Sequence, residues 1–167
     1  MQLKASYSSR EVAALTGLTA RQLQWWDANG IFQSAIASRK TVSGGHTERR
    51  YSPMDVLELL ALAELRRKGF APAQMKQLID TLRDYFRRRL SETLDDAGEL
   101  RLMTNGKALF LRTPQGNVFD LLFDPFQPVI ADGLPLKPVT GKVARKSKVK
   151  KKTNRQVEVR SQKRAVS

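Results

Sequence analysis

Two adjacent tryptophans, Trp25 and Trp26, lie in a short polar segment that also carries Arg21. Neighbouring residues on a helix point about 100° apart, so the two indoles cannot face the same surroundings. A helical wheel places Trp26 on the same face as Leu23, and it places Trp25 beside Arg21 on the opposite face. An exposed indole next to a guanidinium suits the phosphates and base edges of a nucleic acid. We therefore expect Trp26 in the core and Trp25 at a binding surface, and packing of Trp25 on another element remains the alternative.

The charge of the chain is concentrated at one end. Of the net charge of +14, residues 137–167 contribute +11, with 12 Lys/Arg against one Glu, and residues 1–136 contribute +3, with 18 Lys/Arg against 15 Asp/Glu. The pI is about 10.5. A basic tail on a nearly neutral body favours a polyanionic partner, most often nucleic acid, with a solubilising end as the alternative.

Several classes of site are not expected. The chain has no cysteine and one histidine, which excludes disulfides, thiolate sites and multi-histidine metal sites. We expect no metal, no cofactor and no catalytic residues, since no carboxylate pair or activated nucleophile has a convincing context. No apolar run approaches the roughly 20 residues that span a bilayer, and the N-terminus lacks a signal-like apolar core. We therefore expect a cytoplasmic protein that does not enter membranes.

Two short helices joined by a tight turn are predicted near the N-terminus. Ser8 and Glu11 have the spacing of a capping box, and Thr19 and Gln22 repeat it. The segment TGL contains the turn glycine, and Gly30 ends the second helix. This order is typical of a helix-turn-helix.

A basic stretch follows over residues 31–51. It surrounds a Ser-Gly-Gly turn and predicts a β-hairpin wing. Arg39, Lys40, Arg49 and Arg50 are its candidate phosphate contacts. An ordinary charged surface loop is the alternative.

Two further helices are predicted beyond the wing, one opened by Ser52 and Pro53 and the next by Pro72. Apolar residues continue at spacings of three and four over about five turns. We interpret residues 75–95 as a long helix that packs on its own domain first and then on a partner helix. Its dimerisation residues are Leu78, Leu82, Phe86 and Leu90.

The remaining chain divides into two parts. Residues 96–138 predict a small β-rich module of about three strands around the hairpin signal Asn105-Gly106. Such a module can hardly bury a core alone, so we expect it to pack on the long helix or across a dimer. Residues 139–167 lose apolar content and are expected to be disordered in isolation.

The order of these elements resembles the MerR family of bacterial transcription regulators. The matching segments are YSSREVAALTGLTARQLQWWDANGI and RRYSPMDVLELLALAELRRKGFAPAQMKQLI, which span about residues 7–80. The resemblance implies a mainly α fold with a winged helix-turn-helix domain over 7–74 that binds DNA as a dimer. Its second helix would enter the major groove, its wing would contact the flanking backbone, and the following helix would dimerise. RNA polymerase is a further partner that the resemblance implies, through twisting of an overlong promoter spacer.

Two departures from the family pattern matter. Gln24 stands where family members commonly have arginine, which removes one phosphate contact, and metal or redox sensing does not transfer to a chain without cysteines. The expected DNA-binding residues are Ser9, Thr19, Arg21, Gln24, Trp25, Arg39, Lys40, Arg49, Arg50 and Tyr51.

Three functions are consistent with the sequence. The leading hypothesis is a sequence-specific transcription regulator that binds operator DNA as a homodimer, cytoplasmic and associated with the nucleoid, with no effector ligand identified. The alternative is an architectural or recombination-accessory DNA-binding protein with the same winged module, which the lysine-rich tail suits. The third is an interaction protein without DNA, in which Leu102, Phe110, Phe119 and Phe126 line a pocket of the β-rich module, with packing of these residues in the core as the favoured alternative.

Overall fold

The computed structural model describes residues 4–34, 36, 39–40 and 47–142. The helices in this part of the chain are α1 (Ser9–Thr16), α2 (Ala20–Ala28), α3 (Pro53–Arg67), α4 (Pro72–Tyr85) and a short 3-10 helix (Leu90–Thr93). The strands are β1 (Tyr7–Ser8), β2 (Arg39–Lys40), β3 (Thr47–Glu48), β4 (Arg50–Tyr51), β5 (Arg101–Thr104), β6 (Leu109–Arg112), β7 (Val118–Asp120), β8 (Asp124–Val129) and β9 (Lys137–Pro138). The tail predicted to be disordered lies almost entirely outside the described residues, as does the tip of the predicted wing.

Local capping fixes the helix-turn-helix. The hydroxyl of Ser8 accepts the backbone N–H of Glu11 at 3.2 Å, which caps α1. At α2 the capping box is complete, since Thr19 Oγ1 accepts from Gln22 N at 3.1 Å and Gln22 Oε1 accepts from Thr19 N at 2.9 Å. These bonds satisfy backbone donors that have no partner within the helix. The predicted helix-turn-helix is confirmed.

Two small antiparallel ladders surround this unit. β1 pairs with β4 in the register Tyr7↔Tyr51, which ties the N-terminus to the start of α3. β2 pairs with β3 in the register Arg39↔Glu48, as the arms of a hairpin would. Ser52 then caps α3 and Pro53 occupies its first turn, as the sequence predicts.

The long helix predicted over 75–95 is wrong, because α4 ends at Tyr85. Arg87 adopts a left-handed φ of 54°, and the N–H of Arg88 donates to the carbonyl of Leu82 at 3.0 Å, which turns the chain back. The turn brings Arg89 onto the carboxylates of Asp55 and Glu58, which are buried on α3.

The dimerisation residues predicted on that helix belong to the core of their own chain. Leu78, Leu82 and Leu90 are buried, and Phe86 packs against the same cluster. A side chain that is covered within its own chain offers no surface to a partner. The assignment of Leu78, Leu82 and Leu90 to an interface is therefore corrected, whereas the role of the partly buried Phe86 and dimerisation itself stay predictions.

The C-terminal part of the described chain is a five-stranded antiparallel sheet in the order β8-β7-β6-β5-β9. One face of the sheet packs on the helices through Leu102, Leu109, Leu111 and Leu121, which share a single core with α3 and α4. The sequence predicted about three strands, and it also predicted that the module lacks a core of its own. The packing of one face on the helices agrees with the expected contact to α4, while the other face carries a smaller apolar cluster of its own, formed by Met103, Phe110 and Val118.

The end of the described chain is held on α3. Val139 is fully buried, and one carboxylate oxygen of Glu64 accepts the backbone N–H groups of Thr140 at 3.2 Å and Gly141 at 3.1 Å. Gly141 has a φ of +66°, and a Cβ there would lie 3.2 Å from the carbonyl oxygen of Leu57. The basic tail therefore starts from the surface of α3.

Candidate nucleic-acid interface

The two tryptophans of α2 have opposite environments. Trp26 is 2% exposed and lies in the core with Leu23, whereas Trp25 is 50% exposed. Arg21 and Gln24 are also exposed, and Arg21 precedes Trp25 by one helical turn. The predicted division of the two indoles between core and surface is confirmed.

The N-terminal contacts predicted from the sequence lie on two different elements. Thr19 is exposed at the start of α2, where its hydroxyl caps the helix. Ser9 is partly buried at the start of α1 and interacts with the hydroxyl of Tyr51. Their proposed contacts with DNA remain predictions.

An ion pair joins the base of the predicted wing to α2. The guanidinium Nε of Arg49 donates to Oδ2 of Asp27 at 2.6 Å, and both side chains are partly exposed. A partly exposed pair of this kind contributes about 0.2–1 kcal/mol to stability. Its larger consequence is geometric, because it holds the Arg49 guanidinium against the last turn of α2.

Arg50, on β4, is bonded to the residue that precedes β1. Its Nη2 donates to the hydroxyl of Ser6 at 2.7 Å, and its Nε donates to the same oxygen at 3.2 Å. The hydroxyl of Ser34 donates to the backbone carbonyl of Arg50. The guanidinium is thus oriented by its own chain, and a phosphate contact by Arg50 remains a prediction.

Tyr51 is not at the surface. Its side chain is almost fully buried, and burial raises the pKa of its phenol above the ordinary value, while the interaction with Ser9 opposes this shift. The prediction that Tyr51 contacts DNA is therefore corrected. Its position on β4, opposite Tyr7 on β1, gives it a role in packing.

Arg39 and Lys40 occupy β2, paired with β3. Their side chains lie outside the part of the chain that the structure describes in detail. Their predicted phosphate contacts therefore remain predictions.

The sequence analysis missed Asp27 and Ser6, which position Arg49 and Arg50. One signal for Asp27 was available, because an acidic side chain in the last turn of a helix is unfavourable to the helix dipole. Such a residue is expected to have a cationic partner. Ser6 gave no comparable signal.

The family model described as "MerR HTH family regulatory protein" matches residues 7–82, slightly less than half of the chain. The match covers α1 to α3 and most of α4, and it stops before the five-stranded sheet. A search of curated proteins found no match. Within the described residues, no helix is long and apolar enough to cross a membrane.

Proposed function

We propose that the chain is a sequence-specific transcription regulator that binds operator DNA as a homodimer, with residues 7–82, which match the MerR helix-turn-helix family model, as its DNA-binding domain. The observation that carries the proposal is the surface of α2. There the exposed Trp25 and Arg21 point away from a core that is anchored by Trp26.

In the proposed complex with operator DNA, α2 lies in the major groove. Arg21 and Gln24 can donate to base edges or phosphates, and Trp25 supplies an apolar surface against the sugars and bases. Ser9 and Thr19 lie at the starts of the two helices, where they would contact the DNA backbone.

The wing is proposed to contact the flanking backbone through Arg39, Lys40, Arg49 and Arg50. The bond from Arg49 to Asp27 occupies Nε, and the Nη groups of a guanidinium can donate in parallel to a phosphate. Asp27 would thereby set the distance between the wing and α2.

The charge is distributed unevenly along the chain, which supports a basic N-terminal part that faces DNA and a neutral central part that does not. Residues 1–75 carry ten Lys/Arg and six Asp/Glu, residues 76–138 carry nine of each, and residues 139–167 carry eleven Lys/Arg and one Glu. The tail is proposed to add phosphate contacts that do not depend on sequence, which makes binding steeply dependent on salt. A cytoplasmic, nucleoid-associated location and contact with RNA polymerase belong to the same proposal.

An architectural or recombination-accessory role is the second candidate. The observation that favours it is the strongly basic segment 143–167, which has ten Lys/Arg and one Glu. Such a tail stabilises binding to any duplex, and a protein of this class gains selectivity from how easily DNA bends.

Selection of duplexes from random sequence by the full-length chain separates the two functions. A regulator enriches a sharp inverted repeat, and an architectural protein enriches a diffuse preference for deformable steps. Arg21→Ala should weaken binding to an enriched repeat by about 1–3 kcal/mol. Arg112→Ala, at the exposed end of β6, removes the same charge from the neutral part of the chain and should leave binding unchanged. Equal affinities of wild type and Arg21→Ala for the repeat would overturn the proposed role of α2.

A further inference from the structure

An apolar surface lies where β8 passes the end of α4. We call it the α4–β8 patch and define it by Tyr85, Phe123, Phe126 and Ile130, which are 54%, 89%, 68% and 86% exposed. The rings of Tyr85 and Phe126 meet edge to face, with centroids 4.6 Å apart. A cluster of exposed apolar side chains marks an interaction surface, whereas single exposed apolar residues scattered over a surface are ordinary.

A cleft of about 520 Å³ adjoins the patch between α4 and β8. Its walls include Thr81 and Tyr85 from α4 and Leu121, Pro125 and Phe126 from the sheet side. The turn between β7 and β8 is fixed on α4, because Gln77 Nε2 donates to the carbonyl of Leu122 at 2.9 Å. This turn carries Phe123, so a projecting phenyl ring and a recess lie next to each other.

The charge around the patch does not favour nucleic acid as its partner. Residues 76–138 have nine Lys/Arg and nine Asp/Glu, in a chain whose net charge is +14. The carboxylates nearest the cleft are paired, since Asp80 binds Lys76 at 3.0 Å and Asp84 binds Arg83 at 2.9 Å. This neutral region is therefore where two copies of a strongly cationic chain can approach with the least repulsion.

The area of the patch suits a two-fold interface. At about 200 Å² for a large side chain, with Ile130 counted at the same size, the exposed fractions of its four residues leave roughly 600 Å² of apolar surface open per copy. Two such surfaces together bury about 1,000–1,200 Å², which reaches the lower range of specific interfaces before the walls of the cleft are added. A projection beside a recess is self-complementary, as a two-fold axis requires.

We propose that the homodimer forms through the α4–β8 patch, with Phe123 of one copy entering the cleft of the other. The inference rests on the dimeric binding in the proposed function. The helix expected to dimerise ends at Tyr85, and its apolar residues lie in the core of their own chain. The contact is made by side chains, because Pro128 provides no N–H for pairing at the edge of β8.

Sedimentation velocity of the full-length chain over a concentration series tests this interface. The chain has a mass of 18.8 kDa, so the wild type should sediment as a species of about twice that mass. Phe126→Glu should raise the dimer dissociation constant about 30-fold, as expected for a central aromatic contact, and adding Ile130→Glu should give monomers. Leu15→Glu and Met54→Glu change apolar residues that are also exposed but lie on α1 and α3, and they should leave the dimer intact.

The outcomes distinguish the interface from the function. A wild type that is monomeric at every concentration overturns the proposal, and so does a Phe126→Glu, Ile130→Glu variant that remains dimeric. Because both residues are exposed, the variant should keep the unfolding midpoint of the wild type, and Phe126→Ser provides a milder second test. If the variant stays dimeric while the wild type selects an operator, the interface fails and the regulator stands. If the variant is monomeric but the wild type selects no sequence, the regulator fails and the interface stands.

Discussion

Replacing Trp25 by alanine gives the sharpest mutational test of the exposed face of α2. The indole is 50% exposed. From a side-chain area of about 250 Å², about 125 Å² is open to a ligand. At about 25 cal/mol per Å², full coverage by a duplex would be worth about 3 kcal/mol, and partial coverage about 1 kcal/mol. Trp25→Ala should therefore weaken binding to the selected duplex by about 5- to 150-fold.

The salt dependence separates this indole from its charged neighbour. Arg21→Ala removes a cation, so the slope of log K against log salt should fall by about 1. Trp25→Ala removes a neutral group and should leave that slope unchanged. Fluorescence anisotropy of a labelled duplex, measured at several salt concentrations, gives the affinity and the slope in one series.

Two results would refute the reasoning about Trp25. One is an affinity of Trp25→Ala within twofold of the wild type, which would mean that no duplex covers the indole. The other is a fall in slope as large as that of Arg21→Ala, which would indicate a rearranged surface. Trp25→Phe, which keeps an aromatic ring, should lie between wild type and alanine.

Three further changes have defined outcomes. Deleting residues 143–167 should weaken binding to all duplexes by one common factor and lower the salt slope by up to about 9, at about 0.9 for each phosphate neutralised by the ten Lys/Arg removed. Arg89→Gln should cost about 1–3 kcal/mol near pH 7 in urea unfolding, less than for a fully buried pair because the arginine is half exposed. Burial raises the pKa of the Glu58 carboxyl above its ordinary value of 4.5, and Arg89 opposes this shift. Without the arginine, the folded carboxyl keeps its proton at a pH where the carboxyl of the unfolded chain has lost it. The loss of stability in Arg89→Gln should therefore grow as the pH rises above 4.5. Gly141→Ala should cost about 1 kcal/mol more than Gly116→Ala, because both glycines have positive φ but only Gly141 lies against backbone.

Each of these predictions has a contrary outcome. A tail deletion that lowers affinity for the selected duplex alone would give the tail a sequence-specific role. If Arg89→Gln destabilised the fold equally at pH 4.5 and pH 7, charge neutralisation on α3 would not be the cause. Equal unfolding midpoints for the two glycine variants would mean that the contact of Gly141 with α3 contributes nothing.

The features that the sequence predicted correctly depend on local interactions. The capping residues of α1, α2 and α3 lie within three residues of the donors they satisfy, so their spacing is enough to locate each start. The different environments of Trp25 and Trp26 follow from helical periodicity alone. The hairpin turn at Asn105-Gly106 is likewise local, and Gly106 has the expected positive φ of 90°.

The features that the sequence missed depend on contacts between distant residues. Apolar residues continue at helical spacing past Tyr85 to Leu90, but α4 ends at Tyr85. Just beyond this end, Arg89 reaches the buried carboxylates of Asp55 and Glu58. Nothing near residue 85 in the sequence shows these partners.

The last two strands of the sheet and the burial of Tyr51 were missed for related reasons. β8 contains Pro125 and Pro128, which argue against a strand except at a sheet edge, and β9 has only two residues. Tyr51 belongs to a two-residue strand, which is too short for any period to indicate which side is buried.

Chemical protection of the selected duplex by the bound chain tests the central claim most directly. Dimethyl sulfate methylates guanine N7 in the major groove and adenine N3 in the minor groove, so it reports which groove is occupied. Placement of α2 in the major groove predicts protection of guanine N7 by the wild type, and this protection should weaken in Arg21→Ala. A wild-type complex in which every guanine N7 stays reactive, or in which only adenine N3 is protected, would contradict the claim.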